Sequence, residues 1–398
     1  MKSRRWFLPV AACLMLGSTA IQAGAAPQHA TKKAPLKIGV DAALTGSFAA
    51  AYGAPFADGV VLAVRQINAA GGIDGHQLAL DVEDNKGDPS TGALVMQKFA
   101  AGHIPVVVSN FTSVLKAQGP IATASKMLVL NPAASESTIA LASPYIYTNR
   151  PYSTREFIVM ARYMKSKGVK NVAIVASDTA NGRHGEAVLR GQLKVNGISV
   201  AGGTQFYPPA STIDFSAILA KVRSQRPDAV FIYGTADDGG LFVKQAVAQG
   251  FKQPFFSYTG FGVQSVLDAA GSAASNVTWT VPVVWDPDTN PVQGAFVRQW
   301  TKDFPNVVPS ELSALHYDAV KCVLVPVIAS ALKHGGYNGP ALVKAIRSHT
   351  GPFKGCVTGD TQFTHGRDAI KPIAIDTAVN GKPKILKIVS PAEQKAKG

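Results

Sequence analysis

"INAAGGIDGHQLAL", Ile67 to Leu80, places three glycines within five residues, between a helical pattern and a strand pattern. Upstream, Ala57, Val60, Val64 and Ile67 recur at spacings of three and four, the apolar stripe of an amphipathic helix. Downstream, "HQLALDVED" alternates like a half-buried strand. Gly71 or Gly72 serves as the left-handed residue that caps the helix, because glycine has no Cβ to clash there. Asp74-Gly75 then reads as a tight turn into the strand.

That helix-to-strand unit repeats. "LKIGVDAAL" reads as a buried strand, residues 53–70 as a helix, "LALDVED" as a strand and 89–101 as a helix after the turn "GDPS". "IPVVVSN", a helix over 113–125 and "MLVLNPA" continue the rhythm, which implies a parallel sheet covered on both faces. It restarts with a helix over 153–168, "NVAIVAS", a helix over 182–195, "AVFIYGT", a helix over 237–249, "PFFSYTG" and "VTWTVPV". The seam lies near "NRPYS", Asn149 to Ser153. Residues 292–347 read as mainly helical, and the last forty alternate short strands with glycine turns. Ligands of open α/β sheets bind beyond the carboxyl ends of the strands. Two facing lobes therefore predict a cleft lined by loops 44–52, 109–113, 131–136, 178–185, 234–238 and 258–262.

A chain of 398 residues, 46% apolar and 16% charged, suits two globular α/β domains. Its first residues stand apart. "MKSRR" is a positive n-region, "WFLPVAACLML" a short apolar run and Ala23-Gly24-Ala25 a cleavage site, so residues 1–25 read as a secretory signal. "SRRWFL" also fits twin-arginine export, and "VAAC" resembles a lipobox at Cys13, although apolar "LML" follows it. "AVKCVLVPVIASALK", the nearest later approach to a membrane span, is too short and contains Pro326. The mature chain is expected to be soluble and outside the cytoplasm. It retains Cys322 and Cys356, either disulfide-bonded or two buried thiols. The net charge is +14, of which Lys2, Arg4 and Arg5 supply three; the remaining +11 is dispersed and lacks the concentrated face of a nucleic-acid binder.

Enzyme signatures are missing: no G-x-S-x-G, H-E-x-x-H, P-loop or G-x-G-x-x-G occurs, and no motif asks for a cofactor or metal. Adjacent carboxylates such as Asp237-Asp238 or Glu83-Asp84 read as caps and solvated turns. The cleft loops instead hold hydroxyls, small residues and glycine: "LTGSFAAYG", "SNFTS", "NPAASES", "YGTAD" and "SYTGFG". One such serine or threonine merely caps its helix. Five loops converging on one cleft make a cradle for a carboxylate, with helix N–H groups adding partial positive charge.

These residues resemble a known family. The stretch from "LKIGVDAALTGS" through "INAAGGIDG" to "GDPSTG", with "HYDAVKC" and the closing "CVTGDTQFTHG", resembles a type I periplasmic solute-binding protein of the branched-chain amino acid class. The resemblance implies an α/β fold of two Rossmann-like lobes with parallel sheets, joined by three crossing strands. Lobe one would comprise residues 34–152 and 281–356, lobe two 153–280 and 357–398. It further implies a monomer that presents a small solute to an ABC-type permease and its ATPase. The matching loops assign the ligand carboxylate to Thr112 with Ser113 beside it, and further contacts to Ala133 and Ser135. Tyr52 would pack on the ligand, with Phe48 close by. His184 in "RHGEA" stands where the family usually has Tyr-Gly, and Thr235 lies on a matching strand-end loop. The glycines of "INAAGGIDG" would shape a surface connection away from ligand.

One departure decides the ligand class expected. Amino acid binders of this family carry an acidic residue, partner of the ligand ammonium, where this chain has Thr259. A threonine cannot neutralise a desolvated ammonium. The first expectation is therefore a small amine-free organic acid, aromatic or branched aliphatic. The alternative is a branched-chain amino acid, with Asp237 or Asp238 as ammonium partner. A sensory subunit that reports a ligand without transport is a third reading.

Overall fold

A computed structural model describes residues 33–394 except Ser47, Ala210 and Thr235. The secretory-signal reading of residues 1–25, the lipobox at Cys13 and the assignment to Thr235 fall outside the described residues.

Strand β1 (Lys33–Ala42) and helix α1 (Ala54–Ala69) lead into the glycine-rich turn. Gly71 N–H donates to Asn68 O at 3.1 Å and Gly72 N–H to Ile67 O at 2.9 Å, the paired bonds of a Schellman cap. Both glycines therefore act in the cap, with φ of 98° and 82°. A Cβ on Gly72 would stand 2.0 Å from His76 O. Asp74 and Gly75 also have positive φ, the two-residue hairpin geometry that pairs Ile73 with His76 at the start of β2 (His76–Asp84).

The first unit continues through α2 (Pro89–Ala101), β3 (Val106–Val108), α3 (Thr112–Ala124), β4 (Leu128–Asn131), α4 (Ile139–Ala142) and β5 (Ile146–Thr148). Its sheet is parallel, in the order β2-β1-β3-β4-β5. The second unit runs through α5 (Ser153–Ser166), β6 (Asn171–Ser177), α6 (Ala180–Val195), β7 (Ser199–Val200), β8 (Gln205–Tyr207), α7 (Ser216–Ser224), β9 (Ala229–Tyr233), α8 (Asp238–Ala248), β10 (Phe255–Ser257), α9 (Gln264–Ala270) and β11 (Val277–Val281). The chain then returns to the first sheet with α10 (Pro291–Asp303), α11 (Glu311–Asp318), α12 (Val325–His334) and α13 (Gly339–Ser348). It passes through the hairpin β12 (Gln362–Phe363) and β13 (Ala369–Ile370), and ends in β14 (Ile373–Val379) and β15 (Lys382–Val389).

The second sheet has the order β15-β14-β11-β10-β9-β6-β7, with β8 also on β6. It is mixed rather than parallel as expected: β14 runs antiparallel to β11, and β15 antiparallel to β14. Asn380 and Gly381 both have positive φ and fold β14 and β15 into a hairpin, which needs no crossover helix, while the direction of β14 itself follows from its long-range pairing with β11.

Each sheet is covered on both faces. In the first, Val60, Val64 and Ile67 of α1 pack with Trp300, Val323, Val327 and Leu342 on one side, and Met96, Phe99 and Leu115 cover the other. In the second, Phe157, Met160 and Leu189 pack on one face and Leu219, Phe242 and Val243 on the opposite one. The helical run Glu311–His334 is longer than its proline suggested. A π-helical turn, Ala319–Leu324, joins α11 to α12 without a break, and Pro326, which lacks an N–H, falls just after it, where the helical hydrogen-bond pattern changes. The run is apolar enough by composition to cross a membrane, but 78% of its most apolar window is buried inside the protein, as in a core helix.

The chain passes between the sheets three times, after β5, after β11 and before β14. Buried side chains tie these passages together. Gln293 Nε2 donates to Val284 O at 2.8 Å and Val357 O at 3.1 Å. Asp318 accepts from the Val357 and Thr358 N–H groups, both at 2.8 Å, and from Thr358 Oγ1 at 2.6 Å. Cys322 and Cys356 form a disulfide with Cα atoms 5.2 Å apart. "HYDAVKC" thus joins α11 and the π-helical turn to the third passage.

Candidate functional site

A cavity of about 240 Å³ opens between the lobes, at the carboxyl ends of the strands. A buried carboxylate behind it positions the loops that line it. Asp41, near the end of β1, accepts from Ser109 Oγ at 2.7 Å and Gln118 Nε2 at 2.6 Å, and its backbone oxygen accepts from Asn110 Nδ2 at 3.2 Å. Burial pushes the Asp41 carboxyl up to about 6, against the pull of the Ser109, Asn85 and Gln118 hydrogen bonds. The network fixes the loop between β3 and α3. Thr112 and Ser113, the first two residues of α3, line the cavity, and no side chain caps that helix. An uncapped helix start beside two hydroxyls is an anion cradle.

Next to it, Asn131 folds the loop after β4. Its Oδ1 accepts from Ala134 N–H at 2.8 Å and its Nδ2 donates to Ala134 O at 2.8 Å, which presents Ala133, Ala134 and Ser135 to the cavity. Arg150, 1% exposed, also lines it, donating through Nη1 to Ala133 O at 2.9 Å and pairing through Nη2 with Glu156. Glu156 accepts as well from Thr280 Oγ1 at 3.0 Å. Burial pushes the Glu156 carboxyl up, and Arg150 opposes the shift.

The first lobe adds an aromatic wall. Phe111 lies 5.2 Å from Phe48, 5.8 Å from Tyr52 in an edge-on contact and 6.2 Å from Phe56, between ring centroids. Phe56 is backed by His316, stacked at 4.0 Å. Gly87 makes room for this wall: a Cβ there would stand 2.5 Å from the Phe48 ring. From the second lobe come Thr179, Ala180, Asn181, Tyr258, Thr259 and Gly260. Tyr258 stacks on Tyr233 at 3.9 Å and donates to Gly234 O at 2.8 Å. Asn181 Oδ1 is buried without a hydrogen-bond partner.

Phe48, Tyr52, Thr112, Ser113, Ala133, Ser135 and Thr259, each expected from sequence, line this cavity. His184 does not. A Cβ on the neighbouring Gly185 would stand 2.1 Å from the Tyr233 ring, so α6 lies tight against β9 and only its first turn, Thr179 to Asn181, reaches the cavity. Asp237 is exposed and off the cavity. Asp238 is buried and not among the lining residues, accepting from Tyr207 Oη at 2.7 Å and from the Ala236 and Gly239 N–H groups, each at 2.9 Å. It lies near enough to the lining Tyr52 and Tyr258 that, besides burial, its charge pushes their hydroxyl pKa values up. Phe111, Asn181 and Tyr258 lie in loops expected to line the cleft but were not singled out, whereas Phe56, Arg150 and Leu312 lie outside every expected loop. Phe111 and Tyr258 sit inside the quoted loops "SNFTS" and "SYTGFG", where an aromatic beside hydroxyls was the available signal.

Two α/β lobes around a cleft of hydroxyls, rings and helix N–H groups have the form of an extracytoplasmic solute-binding protein. The chain belongs to the periplasmic binding protein family, which matches residues 35–382 and is a family of binding proteins rather than enzymes. It is 26% identical over 343 residues to Leu/Ile/Val-binding protein homolog 1 of Brucella melitensis, covering 85% of this chain and 89% of that protein. Among solved structures it resembles the Streptococcus pneumoniae branched-chain amino acid transporter substrate-binding protein LivJ in complex with isoleucine: TM-score 0.77, 25% identity, 89% of this chain and 99% of that one. It also resembles an R. palustris solute-binding protein in complex with benzoate: TM-score 0.77, 18% identity, 90% of this chain and 97% of that one.

Proposed function

We propose that the chain is a monomeric periplasmic binding component that captures a small carboxylate lacking an amino group and delivers it to a permease. The lobes that close on it are residues 34–152 with 281–356, and 153–280 with 357–398. One observation carries the ligand class: among the described residues lining the cavity, none has a carboxylate, whereas the first lobe offers an uncapped helix start with Thr112, Ser113 and Ser135. The ligand carboxylate binds there, and its apolar body lies against Phe48, Tyr52 and Phe111. Asp237 and Asp238, the acids available to an ammonium, lie off the cavity. Glu311 lies behind Thr259 and is not among the residues that line the cavity. The benzoate-bound R. palustris structure supports an amine-free ligand on this fold. The Brucella relative and the isoleucine complex support the second reading, a branched-chain amino acid.

Binding closes the hinge because the ligand touches both lobes and favours the closed population. The test is thermal melting of ligand-stripped protein against leucine, 4-methylpentanoate and benzoate. A ligand present at a hundred times its Kd adds about 2.7 kcal/mol of stability. Stabilisation by the carboxylates and not by leucine is the expected result; the reverse pattern transfers the site to amino acids.

A further inference from the structure

Phe111 is the cavity residue whose backbone does not suit its side chain. Its φ of 65° and ψ of 127° fall outside the regions open to a residue with a Cβ. Among the described residues, the seven other non-glycine positions with positive φ are all polar or charged. Strain of this kind persists where the surroundings over-determine it, and it clusters where ligands are held.

Here both flanks are fixed. On one side, Ser109 is bound to Asp41 and Gln118, its N–H donates to Leu130 O at 3.0 Å, and Asn110 reaches the Asp41 backbone. On the other, Phe111 O accepts the Leu115 N–H at 2.9 Å as α3 begins. Between these points the backbone turns the Phe111 ring into the cavity, against Phe48, Tyr52 and Phe56. A phenylalanine that only filled a core would not require this backbone. The facing ring, Phe48, packs directly against Gly87, where any side chain would displace it.

We propose that Phe111 determines specificity: with Phe48 and Tyr52 it favours carboxylates whose body is a flat aromatic ring over branched aliphatic ones. This rests on the reading of the cleft as a site for amine-free carboxylates. A planar ring lies face-on or edge-on against the tilted rings of the wall, gaining contacts that a branched chain cannot reproduce.

The experiment is calorimetric titration of ligand-stripped protein with benzoate, 4-methylpentanoate and leucine, for wild type, Phe111→Ala and Phe111→Gly. Both variants delete the ring, but only glycine accepts the backbone without strain. Wild type should bind benzoate about tenfold more tightly than 4-methylpentanoate, a difference of about 1.4 kcal/mol. Both variants should weaken benzoate and compress that ratio to within about threefold, and Phe111→Gly should melt higher than Phe111→Ala. A wild-type ratio near one, a ratio that survives both variants, parallel weakening of the two ligands, or a glycine variant no more stable than the alanine variant overturns the role of Phe111 and leaves the carboxylate site standing. Wild type that binds neither carboxylate, or prefers leucine to both, overturns the carboxylate reading and this proposal with it.

Discussion

The two walls of the cleft are built differently. The first lobe supplies four aromatic rings, an uncapped helix start and three hydroxyl residues, all held by buried networks such as Asp41 with Ser109 and Gln118. The second lobe supplies one buried tyrosine, the small turn Thr179 to Asn181 and the segment Thr259-Gly260. A wall with that much rigid apolar surface holds a ligand by itself, whereas the thinner wall adds polar contacts when the lobes meet. The difference teaches where affinity resides and where closure is decided.

The first lobe also carries the disulfide, and breaking it should produce the largest effect. Cys322 and Cys356 are 34 residues apart, and replacing both with serine should cost about 3–4 kcal/mol of stability. Urea unfolding reads the loss directly. Affinity should stay unchanged, because neither cysteine touches the cavity; an unshifted midpoint would remove the covalent asymmetry between the lobes. Thr112→Ala should weaken a carboxylate ligand by about 1.5–3 kcal/mol, the range for hydrogen bonds to charged groups. Calorimetry that finds only a few tenths moves the anion elsewhere.

On the opposite wall, Asn181→Ala should cost about 0.5–1.5 kcal/mol, and only for ligands that carry a hydroxyl for its buried Oδ1. Comparing 4-hydroxybenzoate with benzoate isolates that contribution, and equal losses for both would make Asn181 a packing residue. A pH-dependent effect concerns acids from both lobes. Burial pushes Glu311, at the start of α11, from 4.5 up to about 7, and burial together with Glu311 and Asp286 pushes Asp376 on β14 from 3.8 up to about 7. Glu311 faces Arg150, Glu156 and Thr259, so one guanidinium serves two carboxyls, Glu156 and Glu311. Below their ordinary values both acids are protonated folded or unfolded, and their contribution to stability is complete. As pH rises through about 7 the folded state must bear buried charge, and the contribution is lost. The melting temperature should therefore fall between pH 5 and pH 8, with a shallower fall in Glu311→Gln; matching slopes for the two proteins would dissociate Glu311 from the effect.

Much of this fold was legible from periodicity, because strands and helices alternate with short loops and each carries its own apolar pattern. Short elements escaped: β5, β7 and β8 have three residues or fewer, too short to show a period. The polarity of the second sheet escaped too, since the direction of β14 depends on a distant pairing with β11. At the site, loop position pointed to the loops after β3, β4 and β10, and the family resemblance picked out Thr112, Ser135 and Thr259 within them; all three line the cavity. It failed at His184, where helix packing through Gly185 turns the relevant side chains away. It also failed at Arg150, whose burial depends on Glu156 and on the Ala133 carbonyl brought from another loop. Nothing in "SNFTS" announces that its phenylalanine has a positive φ, because that follows from the bonds fixing its neighbours.

The glycine turn between α1 and β2 lies at the amino ends of β1 and β2, opposite the strand ends that carry the cleft. Its main-chain bonds are local, and Gly71 is exposed and has open space where a Cβ would stand. A tether attached there hangs the protein by its back. On a sensor surface it would leave the mouth of the cleft facing solution and the swing of the lobes unhindered.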